Sequence, residues 1–168
     1  MRQRATAALA ALLVSGLAAA AAPDWNQEEN VAEAAKHIAI LHAKEGPQKA
    51  IDFVDACYRT HGLASDYSRA FEGCIVRDFL LAHVIAARYA QVPVEERKKL
   101  RLPEPDAITG IMGQRVAAAF KQYDVSAAEA DKLRDLIGKV GVPVFMAIAF
   151  PKSTEAPAGT DGKETKKK

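Results

Sequence analysis

Cysteine is scarce in this chain, which has two among its 168 residues, Cys57 and Cys74. A zinc site needs more thiolates or well-spaced histidines, and a redox pair usually has Cys-x-x-Cys spacing. Neither pattern is present. In an oxidising compartment outside the cytoplasm, paired thiols persist as disulfides. We therefore predict one structural disulfide that clamps a helical hairpin, with two free buried thiols or a reactive pair as the alternatives.

Catalytic and cofactor-binding motifs are missing as well. The sequence has no Gly-x-Ser-x-Gly elbow, no glycine-rich phosphate loop, no Cys-x-x-Cys-His and no Glu-x-x-His. Gly110 and Gly113 lie inside a helical pattern, where close helix packing explains them better than a phosphate loop does. His37 and His42 lie about 140° apart around a helix, so they do not share a face as a zinc pair would, and both are expected in solvent. The sequence predicts no enzyme, no cofactor and no metal.

Long strand-like alternation is also absent, and apolar residues recur at helical spacing along the chain. Gly46 and Pro47 separate two helical segments, and Ser126 with Glu129 matches a capping box. The apolar run at 142–150 fits a buried strand or a short helix after Pro143, and we favour helix because no partner strand is visible. We predict an all-α fold: a small single-domain bundle of about five to seven helices.

The two ends differ in composition from the middle of the chain. Residues 1–20 combine two arginines with an alanine-rich apolar run and small residues, the order of a secretory signal peptide. Residues 152–168 contain no apolar side chain larger than alanine, which predicts a disordered charged tail. The helical domain is then placed at 24–151, and no transmembrane anchor should remain after processing.

Excess basic charge is lacking in this predicted domain. Without the two ends, the chain has 16 basic and 18 acidic residues. A nucleic-acid-binding protein would gather basic residues on one face, and no such cluster is visible, so we expect no nucleic-acid partner. The alanine-rich leader favours a bacterial protein of the periplasm, and secretion to the medium is the alternative.

A polar group interrupts the third and most apolar helical segment. Arg77 and Asp78 stand where this segment turns apolar, and charges near a core need partners. Asp55 and Arg59, on the preceding segment, are the expected partners across the predicted disulfide. His83 is the one polar residue in the run 79–87, so we expect it in the core. The four charged residues are either ion bridges that fix the hairpin or, together with His83, a polar pocket for a ligand or partner.

Two functions remain open for an exported helical domain without catalytic groups. The first is an interaction protein of the bacterial envelope that binds another envelope protein, itself a monomer or weak homo-oligomer. The second is a periplasmic small-ligand carrier or sensor with a cavity around the third helix. The helix order, the two cysteines and the proline-led helix after residue 102 resemble in outline the helical periplasmic immunity proteins that neutralise secreted toxins. This resemblance covers about residues 57 to 150, and such proteins commonly carry further cysteines that this chain lacks.

Overall fold

The computed structural model describes residues 23–151 of the chain, and within this range it contains helices and no strand. The predicted signal peptide at 1–20 and the predicted tail at 152–168 lie outside the described residues. The helices, in chain order, are α1 (Gln27–Glu45), α2 (Pro47–His61), α3 (Arg69–Ala90), α4 (Val94–Leu100), α5 (Pro105–Gln122), α6 (Ala127–Leu136) and α7 (Val142–Ala149). A π-helical segment, Ile137–Gly141, joins α6 and α7 without a break. The predicted all-α fold is confirmed.

Local capping signals set several helix starts. The side chain of Asn26 accepts a hydrogen bond from the backbone N–H of Glu29 at the start of α1. At the start of α6, Ser126 and Glu129 cap each other's backbone, as the sequence predicts. Between α1 and α2, Gly46 adopts φ +87°, a conformation that a residue with a Cβ rarely takes. Residues close in sequence therefore determine where α1 and α6 begin and where the chain turns from α1 into α2.

The core forms where α1 packs against α2, α3 and α7. Small side chains on α1 allow the close approach, and its fully buried face consists of Val31, Ala34, Ala35, Ile38 and Ala39. Phe71 and Ile75 on α3 and Phe145 on α7 are the large side chains that fill the centre. α5 packs chiefly against α3, so α3 lies between α5 and the rest of the bundle.

In the segment 142–150 the chain is helical from Val142 to Ala149, which confirms the prediction of a helix instead of a strand. The helix does not restart at Pro143 but continues through it, because the wider π turn precedes the proline. A proline inside a regular helix loses a hydrogen bond and clashes with the carbonyl four residues earlier. At Gly141 a Cβ would lie 3.2 Å from Cγ1 of Val31, so this glycine permits the close contact with α1.

The predicted disulfide is present and joins α2 to α3. Cys57 and Cys74 are bonded, with their Cα atoms 5.7 Å apart. The buried faces of the two helices thus meet at a covalent link as well as by packing. No helix within 23–151 is long and apolar enough to cross a membrane.

Two expectations about packing are wrong. The run 79–87 has a solvent-facing side, since His83 and Ala87 are exposed. A Cβ at Gly110 or Gly113 would meet no atom within 4 Å, so close helix packing does not explain these two glycines. Both errors concern the surface of α3 and α5, where neighbouring helices leave grooves.

Candidate functional site

The main polar cluster of the domain joins α2, α3 and α5. Asp55 on α2 and Asp78 on α3, both singled out from sequence, converge on Arg115 of α5. The Nη1 of Arg115 donates to Oδ1 of Asp55 at 3.2 Å, and its Nη2 donates to Oδ1 of Asp78 at 2.9 Å. Two carboxylates therefore share one guanidinium, which pins α5 to the hairpin of α2 and α3.

Tyr58 completes the surroundings of Asp78. Its hydroxyl donates to Oδ2 of Asp78 at 3.1 Å, and the guanidinium of Arg115 lies 5.3 Å from the centre of the Tyr58 ring. Burial raises the pKa of Asp78, while Arg115 and Tyr58 oppose that change. Burial and the neighbouring Asp78 raise the pKa of Tyr58, so its phenol remains a hydrogen-bond donor. The oxygens of Asp78 are thus engaged within the protein.

Beside this cluster lies an apolar groove between α2, α3 and α5, which we call the α2–α5 groove. Its volume is about 250 Å³. Asp55, Asp78 and Arg115 are its charged residues; the others lining it are Ile51, Val54, Leu81, Ala82, Ile85, Tyr89, Pro103, Ile108 and Ile111. Ile111 is 62% exposed, so an apolar side chain stands free at the rim. A smaller hollow of about 130 Å³ shares Ile51, Ile85 and Tyr89 and carries the groove on towards Arg88.

The other predicted site residues do not join this cluster. Arg59 is exposed and forms no ion pair within residues 23–151. Arg77 does not pair with Asp55 as expected, and Arg59 does not pair with Asp78. Its Nη1 donates to Sγ of Cys57 at 3.6 Å and its guanidinium lies 5.7 Å from the Phe53 ring centre. Burial lowers the pKa of Arg77. These contacts place Arg77 beside the disulfide instead of in the groove.

The two histidine expectations are reversed in the structure. His83, expected in the core, is exposed, stacks on Phe79 at 4.2 Å and has Nδ1 2.8 Å from the Phe79 carbonyl oxygen. Since a carbonyl only accepts, Nδ1 carries the proton. His42, expected in solvent, is buried against the rings of Phe145 and Phe150. Neither ring nitrogen of His42 has a hydrogen-bond partner among the described residues.

Sequence reasoning also missed Arg115 and Glu72. Arg115 has a visible signal, because it shares a helix face with Ile108 and Ile111 and so interrupts an apolar stripe. Glu72 is fully buried at the start of α3. Its carboxylate accepts hydrogen bonds from Trp25 at 2.9 Å, from Gln27 at 2.8 Å and from Asn30 at 2.9 Å. An acid in the first turn of a helix ordinarily faces solvent, so nothing local marked Glu72 as buried.

A second pair of hollows shares no lining residue with the α2–α5 groove. One, of about 340 Å³, is bounded by α3, α5 and α6, and the other, of about 230 Å³, by α3 and α7. They share Phe79 and His83, and Arg134 is the other basic side chain on their walls. Met146, 45% exposed, stands at the edge of the second hollow. These hollows lie along the third helix, where the carrier hypothesis places its cavity, and Val142, Phe145 and Met146 of α7 line the second.

Within residues 23–151, no three side chains of histidine, cysteine, aspartate or glutamate are grouped so that they could hold a metal ion. Comparison of the chain with protein-family models, with curated proteins and with solved structures gave no match. The functional argument therefore rests on the residues and geometry of this chain.

Proposed function

We propose that this chain is an exported, non-catalytic interaction protein of the bacterial envelope that binds another envelope protein through the α2–α5 groove. The observation that carries the proposal is the groove itself: aliphatic walls, an exposed Ile111 and a charged end made by Asp55, Asp78 and Arg115. Exposed apolar surface rimmed by polar residues is typical of interaction sites.

The chemistry of the groove favours binding over catalysis. Its lining includes no serine, cysteine, histidine or lysine that could act as nucleophile or base. Asp78 is already bonded to Tyr58 and Arg115, so its charge serves the fold. Tyr58 stays protonated for the reason given above. What remains available to a partner is apolar area and the half-exposed carboxylate of Asp55.

Site-specific photo-crosslinking in the intact cell envelope tests this proposal. A photoreactive residue at Ile111 should give one defined adduct, and Ile111→Asp should compete poorly for the same partner. Leu63 is the control position because it is 90% exposed and lies outside the grooves. Adducts of equal pattern at both positions, or no adduct at Ile111, would contradict the use of this groove.

Export to the periplasm is part of the same proposal. The disulfide between Cys57 and Cys74 supports an oxidising compartment, and the composition of residues 1–20 supports a cleaved signal peptide. The measurement is cell fractionation followed by intact mass of the protein. A mature N-terminus near residue 21 in the periplasmic fraction is expected, while an uncleaved chain in the cytoplasm would refute export.

A second candidate function, a small-ligand carrier or sensor, is favoured by the hollows around Phe79 and His83. Their walls are apolar, and their basic groups are His83 and Arg134. Native mass spectrometry of gently purified protein tests this candidate. Extra mass that disappears when Met146 is replaced by Lys would favour the carrier, whereas a bare monomer would count against it.

A further inference from the structure

We infer that the occupant of the α2–α5 groove is an amphipathic helix of the partner protein, and that a lysine or arginine on this helix pairs with Asp55. This inference rests on the proposed function and adds the class of partner. It depends on three features of the groove: its charge, its shape and the freedom of its α5 wall.

The charges at the end of the groove that holds Asp55, Asp78 and Arg115 do not balance. Arg115 is the one cation on the groove wall, and it is shared between Asp55 and Asp78. With both carboxylates ionised, the groove lining carries one net negative charge. The Asp78 side chain is 5% exposed and therefore closed to a partner, but Asp55 is 46% exposed and faces outward. A basic side chain that arrives over the apolar wall would meet Asp55 first.

The other end of the α2–α5 groove, at the smaller hollow, carries the positive charge of Arg88. Arg88 is the one charged residue that lines the smaller hollow, and the nearest acid, Asp52, lies outside this lining and is hydrogen-bonded to Gln48. An occupant with a basic residue near Asp55 therefore meets no repulsion if its other end is neutral or acidic. Charge complementarity of this kind selects partners and fixes the direction in which they bind.

Shape selects a helix among the common ways of binding a peptide. Strand addition needs a free sheet edge, and residues 23–151 contain no strand. Polyproline ligands dock on walls rich in aromatic rings, whereas this wall is aliphatic with Tyr89 as its one aromatic residue. An apolar trough between helices is the form that receives the apolar face of an amphipathic helix.

The α5 wall is suited to adjust around such a helix. α5 packs chiefly against α3, and the space around Gly110 and Gly113 is open. Glycine inside a helix weakens it relative to alanine. Ile108 and Ile111 lie on this wall one helical turn apart, so a small shift of α5 would move both towards an occupant.

The test uses two designed amphipathic helical peptides of equal length, one of leucine and lysine and one of leucine and glutamate, each with a fluorescent label. Binding to the processed protein is followed by fluorescence anisotropy. We expect saturable binding of the lysine peptide and at least tenfold weaker binding of the glutamate peptide. Asp55→Asn should weaken binding of the lysine peptide by about 5- to 20-fold, the range for loss of one charge-assisted contact.

Glu28→Gln is the control, because Glu28 is an exposed acid on α1 and lines neither the groove nor the smaller hollow. It should change the affinity by less than about twofold, as expected for a surface charge away from the contact. Ile111→Asp should abolish binding of the lysine peptide. Equal effects of Asp55→Asn and Glu28→Gln would overturn the role of Asp55, and equal affinity for both peptides would overturn the basic helix.

Failure of this inference is separable from failure of the proposed function. If the Ile111 crosslink in the envelope is specific but does not change with Asp55→Asn, the groove binds a partner of another kind and the basic helix is refuted. If sedimentation shows a dimer that Ile111→Asp dissociates, the occupant is a second copy of this chain, which also overturns the inference.

Discussion

The guanidinium of Arg115 lies 2.9 Å from the carboxylate of Asp78, although 37 residues separate them in sequence. This ion pair ties α5, which packs chiefly on α3, to the centre of the bundle. Both residues also line the α2–α5 groove. The same contact therefore holds the fold together and shapes the surface that we propose as the binding site.

Removing Arg115 should destabilise the protein, because it leaves the buried Asp78 without a cation. We expect Arg115→Met to lower the free energy of unfolding by about 2 kcal/mol, the scale for a buried polar group that loses its partner. Asp55→Asn should lower it by less than about 1 kcal/mol, since this half of the cluster is exposed. Urea unfolding followed by circular dichroism measures both. Equal effects of the two variants would contradict the distinct roles of the two carboxylates.

Glu72 gives a second test of a buried charge. Glu72→Gln places an amide donor among the donors of Trp25, Gln27 and Asn30, so we expect a loss of about 1–3 kcal/mol. Trp25 is the chain's one tryptophan, and its fluorescence reports on this contact directly. Glu33→Gln is the control, since Glu33 forms an exposed ion pair with Arg69 and should lose less than about 1 kcal/mol. A normal Trp25 spectrum and full stability in Glu72→Gln would show that the network is dispensable.

Those parts of the fold that depend on neighbouring residues could be predicted from sequence. The capping box of Ser126 and Glu129 lies within one helical turn, so its pattern is legible without tertiary information. The continuous helix through Pro143 could not be predicted from neighbouring residues alone. Its helix is continuous because a π turn precedes it, and Gly141 in that turn packs against Val31, more than a hundred residues earlier.

For the candidate site, the sequence predicts that Asp78 needs a cation, but it does not predict which residue supplies that cation. A charge at Asp78 inside an apolar helix required a cation, yet the cation came from α5 and not from Arg59 on α2. The exposures of His42 and His83 were reversed because α7 covers the end of α1 but leaves the outer face of α3 open. Such facts depend on which helices cover which faces, and periodicity alone does not encode that.

Glycines on α5 and at the π turn should respond oppositely to alanine. At Gly110 an added Cβ meets no atom within 4 Å, so Gly110→Ala should stabilise the protein by about 0.5–1 kcal/mol through helix propensity. At Gly141 the Cβ would press on the buried Val31, so Gly141→Ala should destabilise it. Thermal unfolding compares the two variants. A stabilised Gly141→Ala would mean that α1 yields at this contact more readily than its burial indicates.

Acid should weaken the contact between α1 and α7 through His42. Burial, and then the charge of Arg88, lower the pKa of His42 below its ordinary value of 6.5. The unfolded chain then binds more protons, so stability is present above about pH 6.5 and is lost as pH falls towards the folded pKa. His42→Leu removes this loss. The free energy of unfolding of the variant, relative to that of wild type, should therefore increase as the pH falls from 7 to 5.

The control for the pH experiment is His37, the other histidine with a lowered pKa, which lies on the exposed side of α1. His37→Gln should remove its own part of the pH dependence and leave the part due to His42. Unfolding free energies from urea titrations at pH 5, 6 and 7 give both contributions. A parallel pH profile for His42→Leu and wild type would refute the role of His42.

The disulfide should contribute a large share of the domain's stability. Replacing both Cys57 and Cys74 by alanine frees a loop of 17 residues in the unfolded chain, for which the loop-entropy model gives a loss of about 3 kcal/mol. The hairpin of α2 and α3 carries Asp55 and Asp78, so binding of the lysine peptide should weaken at temperatures where the variant begins to unfold. Circular dichroism and peptide binding measured over one temperature series connect the two effects. If the variant unfolds at the wild-type temperature, packing alone holds the hairpin, and the covalent link is not needed to keep the two carboxylates beside Arg115.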